Sequence, residues 1–224
     1  SENRPFFTEN QALFDVRGNE SMRLVHTRRI GGKPDSGEDE GADILGAVKF
    51  TSVDGDLNYG VFAVVEDSSD ESAGRNYYTG RVTTKQKDYR AGYLMTYTDR
   101  PDIDRKAVIQ AVDFSRDIDA DIKLIGQFVR SDITTKGQRQ SGSASWFNVE
   151  HQLGPNWAHS FQLSYFGDSF EVNDLGYLPR NDLFSIYYDQ SWENHQYSAN
   201  SRLKEHKIDV EFDHQKNTEG DALS

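Results

Sequence analysis

Hydrophobic and polar residues alternate along much of this chain, most clearly over residues 89–98. Every second residue there is aromatic or apolar: Tyr89, Ala91, Tyr93, Met95 and Tyr97. The residues between them are mostly polar or small. Because successive side chains of a β-strand point to opposite faces, the pattern predicts a strand with one apolar and one polar face. No helical period of 3.6 residues holds over a long window, so the chain is predicted to be all-β.

Repeats of this alternation predict about ten to twelve strands. They cover residues 21–30, 42–52, 57–66, 76–84, 89–98, 106–115, 122–131, 142–152, 157–165, 184–192 and, with turns that the pattern does not place, 196–214. Most of these segments have about ten residues, which is the length of a tilted membrane-spanning strand.

The connections between the predicted strands alternate in length. Long polar or acidic loops at residues 32–41, 67–75, 99–105, 132–141 and 167–181 alternate with short turns near residues 54–56, 86–88, 116–120, 153–156 and 193–194. Outer-membrane barrels have short periplasmic turns and longer extracellular loops. The pattern therefore favours an antiparallel up-and-down transmembrane β-barrel, of which this chain would be an incomplete part.

This interpretation divides the chain into two parts. Residues 1–20 are predicted to form an irregular, plug-like segment, and residues 21–224 to form barrel strands with long acidic outer loops. The chain begins with Ser1 and shows no signal peptide, so we expect a piece of a longer protein. A soluble antiparallel sandwich has the same alternation, and in that alternative the apolar face meets a core instead of lipid.

Composition narrows the choice of partners. A net charge of -12 argues against a nucleic-acid backbone as ligand. The chain has no cysteine, which excludes disulfides and thiolate metal sites. Aromatic residues make up 12% of the chain, which argues against disorder.

No catalytic motif is present. The chain has no HExxH, GxSxG, GxGxxG or P-loop sequence. A glycosidase needs two carboxylates across a cleft, but 37 acidic residues offer so many candidate pairs that the sequence does not single one out. Asp99, Asp102 and Asp104 are weak candidates for a calcium site, because a hard cation prefers oxygen ligands. They lack the glycine and distal glutamate of an EF-hand, and we expect a solvated turn there. We predict no catalytic residue and no cofactor.

Polar side chains on the other face of each strand would point into a barrel. The lumen-facing candidates are Asp43, Lys49, Asn58, Glu66, Arg81, Arg90, Gln127, Lys207, Asp209 and Glu211. Such residues either line a water-filled passage or pair with one another and hold a plug, and both interpretations stay open.

Several short motifs resemble one bacterial family. They are Asn3-Arg4-Pro5-Phe6-Phe7 with Leu13-Phe14, then Arg28-Arg29-Ile30-Gly31, and finally Asn173-Asp174-Leu175-Gly176-Tyr177 with Arg180 and Asp182. Their order and spacing resemble the DUF5916 family, whose domain usually follows a carbohydrate-binding family 9-like module. The resemblance implies an outer-membrane β-barrel that is sometimes associated with carbohydrate uptake or breakdown.

Two functions remain open on the sequence alone. The first is part of a bacterial outer-membrane β-barrel without enzymatic activity, serving as a channel, a transport component or a surface anchor linked to carbohydrate use. Its partners would be outer-membrane lipid, other envelope proteins or a carbohydrate, and not nucleic acid. The alternative is a secreted or periplasmic all-β module that binds or processes carbohydrate, with Trp146, Trp157 or Trp192 stacked on sugar rings.

Overall fold

The strands form one antiparallel sheet in which each strand pairs with its neighbours in sequence. A computed structural model describes residues 4–37, 40–69, 72–194, 197, 202 and 204–223. Ten strands occur in that part of the chain, in the spatial order β1 to β10. The predicted all-β, up-and-down antiparallel fold is therefore confirmed. β1 and β10 are the two edges of the sheet, which is open between them over the described residues.

Strand lengths range from 9 to 16 residues. The strands are β1 Ile44–Ser52, β2 Leu57–Glu66, β3 Asn76–Lys85, β4 Tyr89–Arg100, β5 Arg105–Asp117, β6 Ile122–Thr135, β7 Gln138–Leu153, β8 Trp157–Phe166, β9 Leu183–Asn194 and β10 His206–Lys216. Two four-residue helices precede them, α1 Pro5–Thr8 and α2 Gln11–Phe14, and single 3-10 turns lie at Thr27–Arg29 and Pro101–Ile103. No helix among these residues is long and apolar enough to cross a membrane.

The predicted first strand, at residues 21–30, is wrong. This stretch holds only isolated β-bridges and the 3-10 turn, and β1 begins at Ile44. The neighbouring residues Leu24 and Val25 are both buried, which a two-faced strand does not allow. Glu20 and Ser21 also have positive φ angles of 54° and 62°, which interrupt extended backbone.

The predicted long loop at residues 132–141 is a tight hairpin. β6 continues to Thr135 and β7 starts at Gln138, leaving only Lys136 and Gly137 between them. Both have positive φ angles, 50° and 77°, as the favoured two-residue hairpin turns require. The polar residues around the turn therefore lengthen two strands and do not form a loop.

The predicted short turn at residues 193–194 is also wrong. β9 continues through Asn194 and β10 begins only at His206, so this connection is long. It lies at the end of the sheet where the short turns are, which breaks the predicted alternation of loop lengths. Asn3, Glu38, Asp39 and the predicted strand start at Gln196 lie outside the described residues.

The two faces of the sheet have different surroundings. We call inner the face that carries Phe62, Leu94 and Val129, which are almost fully buried. The outer face carries Tyr93 and Phe128, which are 39% and 53% exposed. The core therefore lies entirely on the inner side of the sheet.

Two connecting segments cover the inner face. The N-terminal segment, residues 4–43, places Phe7 and Phe14 edge-on against Phe62 of β2, with ring centroids 6.4 and 5.1 Å away. Its far part reaches β8, where the Asn19 amide donates to the Ser164 hydroxyl at 2.8 Å. The prediction of a plug-like segment at residues 1–20 stays a prediction, but the irregular layer continues to residue 43.

The second segment is the β8–β9 loop, residues 167–182. Phe170, Val172 and Leu175 of this loop are at most 1% exposed. The loop crosses β7 at Gly142, where a Cβ atom would lie 2.4 Å from the backbone nitrogen of Phe170. Only glycine allows this close approach of two backbones.

We therefore expect Gly142→Ala to lower the free energy of unfolding by about 1–3 kcal/mol, because the loop must move away from β7. The matched control is Gly80→Ala on the outer face, where the added Cβ would meet only Val61, at 3.8 Å. Its cost should be within about 0.5 kcal/mol. Urea unfolding followed by tryptophan fluorescence measures both variants, and equal costs would contradict the proposed contact.

Candidate functional site

The inner face carries most of the predicted lumen residues. Glu66, Arg81 and Gln127 are buried there, and Lys49 and Asn58 are partly buried on the same face. Arg90 has the same orientation but is exposed. Asp43 lies just before β1 and is exposed, and its carbonyl accepts from the Asp67 backbone N–H at 2.8 Å. Lys207, Asp209 and Glu211 are exposed on edge strand β10.

Cations anchor the start of the N-terminal segment. The Lys49 ammonium donates to the carbonyls of Phe6 and Glu9. The Arg4 guanidinium donates to the carbonyls of Ile30 at 2.8 Å and Thr27 at 2.7 Å, and it lies 4.4 Å from the centroid of the Phe7 ring. The Lys49 bonds satisfy carbonyls at the end of α1, where a short helix leaves them without intrahelical partners. The Arg4 bonds join the start of the segment to the 3-10 turn at Thr27–Arg29.

Two of the family-like motifs meet in space. The Arg29 guanidinium donates to the Gly176 carbonyl at 3.1 Å and to the Asn173 side-chain oxygen at 3.2 Å. Backbone bonds join Arg23 to Tyr177 in both directions, at 2.8 and 2.7 Å. Leu175 is buried beside them. The contacts give residues 28–31 and 173–176 a shared structural role: together they fix the N-terminal segment to the β8–β9 loop.

The remaining motif residues also have structural contacts or lie on the surface. Pro5, Phe6 and Phe7 begin α1. Gly31 has a φ of 72°, which suits glycine. Arg180 is exposed, and Asp182 accepts from the Thr218 hydroxyl at 2.5 Å and the Thr218 N–H at 2.8 Å. Arg28 lies in the 3-10 turn.

A buried carboxylate on β2 forms half of a charged cluster. The side chain of Glu66 is fully buried and accepts from the Gly31 backbone N–H at 2.7 Å. It also forms an ion pair of 2.6 Å with Arg75, which donates in turn to the carbonyls of Gly32 and Lys33. Burial alone would lower the pKa of Arg75, but the hydrogen bond to Glu66 and the nearby acidic groups of Tyr77, Glu66 and Asp35 together outweigh it, and the pKa is raised.

The other half of the cluster joins three parts of the chain. Asp174 of the β8–β9 loop has a side chain only 1% exposed and pairs with Arg100 at 2.8 Å and Arg105 at 2.7 Å. Arg100 also pairs with Asp35 of the N-terminal segment at 2.5 Å. We call the six residues the charged clamp; they are Asp35, Glu66, Arg75, Arg100, Arg105 and Asp174. The clamp holds both covering segments against the ends of β2 to β5.

Sequence reasoning found only Glu66 of the clamp as a site residue. Asp174 stood inside a recognised motif without a role, and Asp35 stood in a polar loop. Arg100 and Arg105 flank the tight turn at Pro101, where strand alternation ends. Nothing in the linear pattern indicates that these charges converge, because Arg100 and Asp174 are 74 residues apart.

The candidate calcium ligands do not converge on a common point. Asp102 accepts from the Ser72 hydroxyl at 2.7 Å and the Ala73 N–H at 2.9 Å, and Asp99 lies beside Tyr97 and Lys106. Asp104 occupies a turn with a φ of 47°. Over the described ranges, no three His, Cys, Asp or Glu side chains are placed to hold a metal ion.

The tryptophans lie on opposite faces. Trp146 points inward and donates to the Gln127 side-chain oxygen at 3.1 Å. Trp157 and Trp192 lie on the outer face, directly opposed on β8 and β9, with ring centroids 6.3 Å apart. Of the three tryptophans, only Trp157 and Trp192 could meet a ligand or a membrane on the outer side of the sheet.

Comparison with known proteins supplies the family. Residues 92–224 match the family described as a domain of unknown function, DUF5916, over more than half of the chain. The chain belongs to the DUF5916 family. No curated protein and no solved structure matches it. The DUF5916 match begins inside β4, so the motifs at residues 3–31 precede it. The position after a carbohydrate-binding module stays a prediction.

In this DUF5916 protein, Asp174→Asn should lower the free energy of unfolding by about 3 kcal/mol, because it leaves two largely buried guanidinium groups without their shared carboxylate. Asp132→Asn is the matched control. Asp132 also binds two arginines, but Arg130 and Arg139 are exposed, and the cost should stay below about 1 kcal/mol. Chemical denaturation compares the variants, and a control as costly as Asp174→Asn would contradict a special role for the clamp.

The clamp should also loosen in acid. The hydrogen bond from Arg100 holds the pKa of Asp35 below its usual range. A carboxylate with a lowered pKa stabilises the folded state above the ordinary aspartate pKa of about 3.9, and this contribution disappears as the pH falls through the lowered value. Between pH 6 and pH 2, Asp35→Asn should therefore lose less stability than the unchanged protein. Identical pH profiles of unfolding free energy would contradict this prediction.

Proposed function

We propose that this chain forms wall and plug of a bacterial outer-membrane β-barrel that serves in solute transport linked to carbohydrate use. The outer face of the sheet would meet lipid, and the inner face, with its two covering segments, would restrict the lumen. The open edges of β1 and β10 would be closed by further strands of a larger barrel. The outer face is mainly apolar and the inner face carries buried charged residues, and this difference between the faces supports the proposal.

The observation that carries the proposal is a row of directly opposed residues across nine strands on the outer face. It consists of Ser52, Tyr59, Val82, Tyr93, Val112, Phe128, Ser145, Tyr165 and Phe184. Only the two serines are small and polar, and most of the others are more than one-third exposed. Soluble monomers rarely expose so large an apolar surface, whereas a barrel wall must present one to lipid.

Aromatic residues near one sheet end fit the same proposal. Trp157 and Trp192 lie on the outer face beside the short β7–β8 turn, opposite Leu153 and Ile208 in the next strands. Tryptophan is enriched where a barrel wall leaves the hydrocarbon and meets headgroups. The pair therefore suits an interfacial girdle.

The inner side supports a restricted passage. The inner face packs an apolar core against the covering segments, and the charged side chains of Glu66 and Arg81 are buried beside that core. A polar interior partly filled by a folded segment is found in plugged outer-membrane barrels. We therefore place the transport path along the N-terminal segment.

Because the chain lacks cysteine, single cysteines can report the surroundings of each face. In the full-length protein reconstituted in lipid vesicles, a spin label at Met95→Cys should collide with dissolved oxygen far more than with a water-soluble nickel chelate. A label at Asn58→Cys on the inner face should show the reverse preference. Met95 is 42% exposed, so the label needs no repacking.

Two results would contradict the proposal. One is equal accessibility of Met95→Cys and Asn58→Cys to the nickel chelate. The other is a full-length protein that stays monomeric in buffer without detergent. Glycan binding that depends on Trp157 and Trp192 would, in that case, support a soluble carbohydrate-binding module.

A further inference from the structure

Two cavities flank the N-terminal segment on the inner face. The smaller has a volume of about 590 Å³ and the larger about 750 Å³. Asp15 and Arg17, just after α2, line both. The segment therefore separates two water-accessible spaces and does not fill the inner side completely.

The charges that line the cavities are mostly basic. The smaller cavity is lined by four Arg and Lys residues and one carboxylate. The larger cavity is lined by five Arg and Lys residues and two carboxylates. In the whole chain the bias is opposite, with 37 acidic and 25 basic residues. The two spaces beside the N-terminal segment thus have a basic excess in a chain that is acidic overall, whereas the charged residues that line a third cavity, which shares Lys123, are mostly carboxylates.

Both carboxylates of the larger cavity are already neutralised. Asp15 pairs with Arg17 and Asp113 pairs with Arg81, each at 2.6 Å. Arg81 is bidentate, and its two bonds to Asp113 are 2.6 and 2.9 Å long. Neither carboxylate is left to balance the other cations of the cavity.

Lys85 and Arg90 are two of those other cations, and both side chains are exposed. They are directly opposed on β3 and β4, with inward orientation, and both line the larger cavity. Among the described residues, no carboxylate lies within 4.0 Å of either side chain. Like charges directly opposed across two strands destabilise a sheet, so this pair costs stability unless an anion is bound.

Lys123 lines the same cavity but gives weaker evidence for a bound anion, because carboxylates lie opposite it on both neighbouring strands. Its neighbours across β5 and β7 are Asp117 and Glu150, which offset its charge at longer range. Ordinary solvation would account for an isolated lysine of this kind. Lys85 and Arg90 are also exposed, but they differ from Lys123 because they are directly opposed like charges, with no carboxylate opposite them on the neighbouring strand.

We propose that the larger cavity binds a small multivalent anion whose carboxylate or phosphate groups rest between Lys85 and Arg90. The planar guanidinium of arginine can donate two parallel hydrogen bonds to an oxyanion, and the lysine ammonium is a point charge on a flexible side chain. Together they can bind one anionic group from two sides. Arg17 and Arg81 are already paired with Asp15 and Asp113, so the net positive charge of the cavity comes from the other cations. The proposal goes beyond transport by naming the charge of the solute, and it holds whether or not the outer face meets lipid.

Calorimetric titration of the full-length protein in a non-ionic detergent with citrate tests the proposal. Citrate should bind at low ionic strength, and binding should weaken as sodium chloride is added, because salt screens exposed charges. The neutral polyol sorbitol should not bind. The double variant Lys85→Gln/Arg90→Gln should reduce the affinity for citrate at least tenfold.

The matched control is Lys87→Gln/Arg180→Gln, which removes the same two residue types from exposed positions that line neither cavity. Its affinity for citrate should not change. Citrate should also raise the melting temperature of the unchanged protein and of the control, but not of Lys85→Gln/Arg90→Gln, because a ligand stabilises only the state that binds it. Without citrate, Lys85→Gln/Arg90→Gln should be at least as stable as the unchanged protein.

Absence of citrate binding by the unchanged protein would overturn the proposal, as would equal losses of affinity in the two double variants. These outcomes leave the membrane proposal untouched, because the spin-label experiment measures the outer face alone.

Discussion

Asp174 carries the interaction on which the inner side of this protein depends. One nearly inaccessible carboxylate receives guanidinium groups from the adjacent strands β4 and β5, and Arg100 extends the contact to Asp35. Without that charge, two arginines would point at each other beneath a loop. The clamp therefore fixes both covering segments to the ends of the same two strands.

The clamp also explains why the two faces of the sheet differ so strongly. The inner face has a partner within the chain, and Glu66 and Lys49 are hydrogen-bonded to that partner. The outer face presents aromatic and branched residues to the surroundings, with no segment of the described chain over them. The outer face is therefore apolar over much of its area, and the cavities lie on the opposite side of the sheet.

The sequence predicts the sheet well because strand periodicity is a local property. Alternation over residues 57–66 and 89–98 identifies strands whose observed bounds agree closely. Prediction fails where local chemistry is ambiguous: polar residues around Lys136 and Gly137 suggest a loop, yet two positive φ angles make a hairpin. It fails again at Leu24 and Val25, which are buried between two layers.

The candidate site is less accessible to prediction, for a different reason. Glu66 was identifiable because it belongs to a strand face. Asp35 and Asp174 acquire their role only through partners far along the chain, and a single sequence carries no signal for such contacts. Lys85 and Arg90 lie close in sequence, but their significance depends on a cavity that the strand pattern cannot show.

The neighbour-to-neighbour order of the strands has a consequence for assembly. Every hairpin closes a loop far shorter than the 144 and 147 positions that the bonds between Arg29 and residues 173 and 176 span. Closing long loops costs entropy before any contact compensates for it, and such contacts form slowly. We therefore expect the hairpins to form first and the N-terminal segment to dock last. The N-terminal segment, which is synthesised before the ten strands, would reach its final position after them.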